Sequence, residues 1–178
     1  GVDWTPVETA LSLLRDRMQV VKATVECQTA QAQGRILANP VSALRSNPPE
    51  ANTAVDGYGF AYAGGAAGTQ VLPLVAGRSA AGAPFAAKVP AGHAVRVLTG
   101  AALPDGVDTV VLDEDVTASA TQIAFRGPLK RGANTRQAGE DIVKGSEALP
   151  AGRLLTPADL ALLSAVGCAQ VPVRARLR

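Results

Sequence analysis

Residues 52–60 read Asn-Thr-Ala-Val-Asp-Gly-Tyr-Gly-Phe, NTAVDGYGF in one-letter form. The stretch admits two readings. As backbone, Asp56-Gly57 is a hairpin turn, because Asp-Gly tolerates the positive φ angles of a tight two-residue loop. As a site, a carboxylate beside glycine lets a ligand approach the main chain closely. The residues alone leave both open. Around this stretch, from about Pro48 to Pro128, helical periodicity fades and glycine, proline and alanine accumulate. Short β-type runs appear at Gln70 to Val75, Ala94 to Leu98, Asp108 to Leu112 and Gln122 to Phe125. Closely spaced short strands joined by such turns predict a small barrel or curled sheet.

The flanking regions read differently. Thr5-Pro6-Val7-Glu8 predicts a helix with threonine as N-cap and proline at its first position, and Val7, Ala10, Leu11, Leu14 and Met18 recur as an apolar stripe. Thr156-Pro157-Ala158-Asp159 repeats the start signal, Leu160, Leu163 and Val166 share one face, and Gly167 is the stop. A third helix is expected over Gln28 to Leu37, with Gly34 inside it at some cost in propensity. After Lys130, turns alternate with strands, and the closing VPVRARLR reads as a strand. The fold expected is α+β and β-rich, with a small β-barrel-like lobe (49–129) inserted into a mixed α/β lobe made of 1–48 and 130–178.

Composition excludes several classes. Of 178 residues 47% are hydrophobic and 18% charged, so the chain is globular rather than disordered. A net charge of +2 with only 3% aromatics gives no basic cluster interleaved with stacking residues, so no nucleic-acid partner is expected. No apolar run reaches the roughly eighteen residues of a membrane span, so no membrane insertion is expected. Cys27 and Cys168 stand far apart without a histidine partner, which predicts free thiols in a cytoplasmic protein.

Three segments concentrate polar residues with glycine: Asn52, Thr53 and Asp56; Thr99-Gly100 at the end of a strand; and Asn134, Arg136, Glu140 and Asp141. Functional groups usually sit on such loops. Carboxylates, hydroxyls, one arginine and glycine-exposed N–H groups would suit a phosphate-bearing ligand handled with Mg²⁺. Each also has a plain structural reading: a turn, a strand end, a surface ion pair between Arg136 and the acids after it. Asp113-Glu114-Asp115 reads as an exposed loop, with contact to a metal as the lesser alternative, and His93 as a surface residue. The inventory builds no Ser-His-Asp or Cys-His arrangement, so covalent nucleophilic catalysis is not expected.

In this order the three loops resemble the molybdopterin molybdenumtransferase family, MoeA in bacteria and the gephyrin E domain in animals. Asn52 to Tyr58 is similar to the family's N-S-A-M-D-G-Y, with Thr53 and Val55 as departures. LTGAALPDGVDTVVLDED keeps Thr99, Gly100, Pro104, Gly106 and Glu114 of a second motif, and GANTRQAGEDIVKG keeps Asn134, Arg136, Gly139, Glu140, Asp141 and Gly145 of a third. The resemblance covers nearly the whole chain but less than half of a family member, so the family's larger catalytic domain and C-terminal barrel are expected to be absent.

The resemblance implies an elongated molecule and a homodimer in which loops of one subunit complete a site on the other. It implies insertion of molybdate into adenylylated molybdopterin with release of AMP, aided by Mg²⁺. Asp56 and Asp141 would be the catalytic and Mg²⁺-positioning acids, and Thr99, Gly100, Arg136 and Glu140 would bind substrate. This chain alone is expected to be inactive. The alternative within the same family is a non-catalytic dimeric scaffold.

Overall fold

The structure is a computed structural model that describes residues 4–20, 22–64 and 66–176. Helix α1 (Val7–Arg17) precedes three strands, β1 (Thr24–Gln28), β2 (Val41–Ser42) and β3 (Asn52–Thr53). Six more follow: β4 (Gly57–Phe60), β5 (Gly68–Ser79), β6 (Ala94–Val97), β7 (Thr109–Leu112), β8 (Val116–Ala118) and β9 (Gln122–Gly127). Then come β10 (Thr135–Arg136), β11 (Glu147–Leu149), helix α2 (Pro157–Ala165) and β12 (Gln170–Arg174). The six middle strands make one sheet in the order β7-β4-β6-β5-β9-β8. Its two outermost strands, β7 and β8, are separated in sequence only by the 3₁₀ turn Asp113–Asp115, so the sheet curls into a half-barrel. The class is α+β and rich in strand, as the sequence predicts.

Asp56-Gly57 is not a hairpin turn. β4 does not pair with β3; it lies between β6 and β7, antiparallel to both. Gly57 needs no positive φ, and its role is spatial: a Cβ there would overlap the Val111 carbonyl oxygen. At Gly59 a Cβ would stand 2.7 Å from Val107 Cγ1. The period of two along the strand explains the pattern. Tyr58 and Phe60 face one core with Ala94, Val111, Ile123 and Phe125, where the Phe60 and Phe125 rings stack at 5.3 Å. The glycines face the opposite side, where Val95, Val97, Val107 and Val110 form a second core with Val89.

A third core draws on both ends of the chain: Leu37, Leu155, Leu163, Val166, Val171 and Val173 are buried in it, with Leu149 and Cys168. β1 and β12 pair antiparallel beside it, as β2 and β11 do. The expected helix over Gln28–Leu37 does not form. Gln28 ends β1, a single 3₁₀ turn spans Thr29–Gln31, and Gly34 takes φ 70°. Pairing of Thr24–Gln28 with β12 outweighs helix propensity there, and Ala32 and Leu37 enter the core from irregular backbone. Helix α2 starts and stops as expected: Thr156 and Asp159 form a reciprocal capping box, and Gly167 follows at φ 88°. Helix α1 begins one residue later than expected. Pro6, not Thr5, holds the N-cap, no side chain caps it, and none of its residues is buried. Its stripe is open, with Val7 72% and Met18 73% exposed. The closing strand ends at Arg174, and residues 177 and 178, part of the strand read there, lie outside the described residues.

Candidate functional site

Residues 52–54 join the three polar loops. Thr53 accepts at its carbonyl from the Gly100 N–H (2.9 Å) and donates its own N–H to the Ala101 carbonyl (3.0 Å). The Ala54 N–H donates to the Asn134 carbonyl (2.9 Å), and β3 pairs with β10, Thr53 opposite Thr135 and Asn52 opposite Arg136. The local conformations follow from residue type. Gly100 takes φ 77° in the turn after β6, a region open to glycine at no steric cost. Asn134 takes φ 57°, which asparagine tolerates better than most, and its Nδ2 donates to the Val110 carbonyl (2.9 Å). Thr53 is buried, and its hydroxyl bonds back to the Val55 carbonyl at 2.7 Å.

Within this frame the polar side chains form two separate clusters. In the first, Asp56 Oδ1 accepts from both the backbone N–H and the hydroxyl of Thr99, each at 2.7 Å. These bonds hold the Asp56 carboxyl below its ordinary range, with the hydroxyl the larger cause. Among the described residues, Oδ2 takes no hydrogen bond. Close by, Arg96 and Asp113 form a two-pronged ion pair, one arm at 2.9 Å. Arg96 depresses the Asp113 carboxyl, and Asp113 in turn raises the guanidinium further above its already high value.

In the second cluster Arg136 stands between Glu140 (Nε to Oε1, 3.2 Å) and Asp141 (Nη2 to Oδ1, 2.5 Å). Glu140 also accepts from the Gln137 N–H at 3.0 Å, and that bond leads in lowering its carboxyl, with Arg136 second. The other oxygen of Asp141, Oδ2, accepts from Asn47 Nδ2 at 3.1 Å. No hydrogen bond or ion pair among the described residues joins the two clusters.

This arrangement bears on Mg²⁺. Among the described residues no group of three or more histidines, cysteines, aspartates or glutamates is placed to hold a metal ion. Mg²⁺ is commonly bound by one or two carboxylates with the rest of its shell from water and substrate phosphates. Asp56, with Oδ2 open, fits as one such ligand. Asp141 carries one hydrogen bond on each oxygen, so as an ion ligand it would share those oxygens with Arg136 and Asn47. Arg96, Asp113, Tyr58 and Asn47 went unmarked in the sequence reading as parts of these clusters. Arg96 carried a signal: a charged residue inside the four-residue apolar strand AVRV, directly opposite Tyr58. Asp113 carried none, being one of three consecutive acids.

The curled sheet, the core built from both chain ends and the loops gathered at residues 52–54 define a strand-rich module that presents carboxylates on its surface. Comparison with known proteins makes this specific. The family model for the MoeA N-terminal region, domains I and II, matches residues 5–167. The chain belongs to this family. Molybdopterin molybdenumtransferase of Haemophilus influenzae is 34% identical over 174 residues, 97% of this chain and 42% of that protein. Its Synechococcus elongatus namesake is 35% identical over 170 residues, 93% and 42% of the respective chains. A crystal structure of the molybdopterin biosynthesis moeA protein from Pyrococcus horikoshii superposes with a TM-score of 0.83 at 33% identity, covering 94% of this chain and 45% of that one. The chain thus spans about two fifths of the length of the curated relatives it matches.

Proposed function

We propose that this chain serves as the N-terminal region of a molybdenum cofactor biosynthesis enzyme. It contributes loops to a composite site, shared across a homodimer, that inserts molybdate into adenylylated molybdopterin and releases AMP. The observation that carries the reading is the Asp56 carboxylate, pinned at Oδ1 by Thr99 and open at Oδ2 on an exposed loop. The names of the relatives supply the substrate class.

In this reading Asp56 takes one position on Mg²⁺, which would neutralise charge on the phosphoanhydride oxygens of the substrate. Thr99 keeps the carboxylate ionised and oriented, and Gly100 allows the turn that brings both Thr99 donors to it. Arg136 meets a substrate oxyanion by releasing Glu140 or Asp141, and that release leaves Asp141 Oδ1 to an ion.

The test is a chimera in which this chain replaces the matched region of the Haemophilus influenzae enzyme. AMP release with molybdate and Mg²⁺ is expected to fall at least about a hundredfold on Asp56→Ala, the order lost when a transition-state contact is removed. Turnover that survives Asp56→Ala undiminished overturns the reading and favours a scaffold role.

A further inference from the structure

Asp56 is held from two sides, and its two holders belong to different strands. Thr99 follows β6 and fastens the carboxylate. Asp113 follows β7, and its N–H donates to the Asp56 carbonyl at 3.1 Å. Strands β6 and β7 do not pair with each other, because β4 runs between them and Asp56 is the residue just before β4. The Arg96–Asp113 ion pair bridges that gap. Tyr58 of β4 stands opposite Arg96 on one side and Val111 on the other. The guanidinium lies over the Tyr58 ring, 4.9 Å from its centroid, and reaches across it to the Asp113 carboxylate.

The backbone ladders already zip β6 and β7 to β4, so the sheet does not need this pair for its own integrity. Partly exposed ion pairs contribute little to stability in any case. What the two-pronged geometry adds is orientation, because a planar fork on a carboxylate fixes both partners at once. We propose that the Arg96–Asp113 pair is a clamp across β4. It sets the spacing between Thr99 and Asp113, and through them it aims the open Oδ2 of Asp56. Arg96 is thus a positioning residue, and its filled fork is not a substrate contact. The proposal rests on the reading of Asp56 as the ion- and substrate-facing acid.

The clamp is tested by amide hydrogen exchange on this chain with Arg96→Gln, Asp113→Asn and the double variant. Exchange at the Thr99 and Asp113 amides is expected to rise about tenfold in either single variant and no further in the double, as for two residues acting as one unit. The amides of Val95 and Val110, deeper in the same strands, should not change. Arg96→Lys, which keeps the charge over Tyr58 but loses the fork, should fall between. In the chimera, Arg96→Gln should lower kcat about tenfold with KM nearly unaltered, the pattern of a transition-state effect rather than lost binding. An unchanged Thr99 amide in Arg96→Gln overturns the clamp, and so does faster exchange spread through the whole sheet. A loosened Thr99 amide with undiminished kcat keeps the clamp and overturns instead the role of Asp56 in transfer.

Discussion

Gly57 and Asp56 are neighbours with opposite demands. The glycine must be small because strand β7 crosses where a side chain would start, and the aspartate must be placed because both its neighbours' strands reach for it. Gly57→Ala is therefore expected to destabilise the fold by about 3 kcal/mol, at the upper end of overpacking costs, since rigid backbone rather than a flexible side chain is in the way. Urea unfolding of the variant measures this, and a loss under about 1 kcal/mol would show that β7 can retreat. This is also where sequence reading met its limit. Asp-Gly carries the same two letters in a hairpin and in a crowded central strand. Only the partners of β4, more than thirty residues downstream, separate the cases. Thr99, Arg136, Glu140 and Asp141, singled out from the sequence, stand in hydrogen-bonded clusters. What could not be read was which acid pairs with which base, because Arg96 and Asp113 meet across a strand that neither belongs to.

The two helices began with the same sequence signal and ended differently. In α2 the box closes, and Arg153 adds an ion pair to Asp159 at 2.9 Å. Arg153 leads in depressing the Asp159 carboxyl to about 2, with the Thr156 N–H next. A carboxyl depressed on folding stabilises the native state above its unfolded value of 3.8, and that contribution disappears as pH falls from there through about 2. Asp159→Ala should thus cost about 1–2 kcal/mol at pH 7, the range of a lost cap, and markedly less near pH 2. Denaturant midpoints at the two pH values check this. In α1 the same letters produce a helix without a side-chain cap and without a buried face. Helices this short are marginal in water on their own. Deleting residues 1–18 is expected to lower the unfolding free energy of the rest by less than about 1 kcal/mol, since none of the described residues 4–18 is buried. A larger loss would mean that the helix shields more of the molecule than its exposure indicates.

At the scale of the whole molecule, the cores do not mix. Residues 32–43 and 149–173 supply one, and residues 58–125 supply the two that face the curled sheet. The proposed division, 49–129 inserted between 1–48 and 130–178, predicts that damage stays local. Leu163→Ala should cost the terminal core about 2–5 kcal/mol. Amides of β4, β6 and β9 should keep their protection from hydrogen exchange while those of β1 and β12 lose theirs. Simultaneous loss in both would show one cooperative unit instead. The curled sheet was foreseeable from spacing, whereas the irregular run from Thr29 to Leu37 was not, because its backbone bends to deliver Ala32 and Leu37 to a core assembled by the other end of the chain. The outer rim of that sheet carries a last consequence. Beside β7 the Val110 N–H donates to the Ala133 carbonyl, the Val110 carbonyl accepts Asn134 Nδ2, and Thr109 Oγ1 accepts the Gly132 N–H. A strand edge left open is a template on which other chains can add and aggregate. Here the loop that carries the third motif already takes up the Val110 backbone groups, so the segment proposed to serve the site also occupies edge positions that an added strand would need.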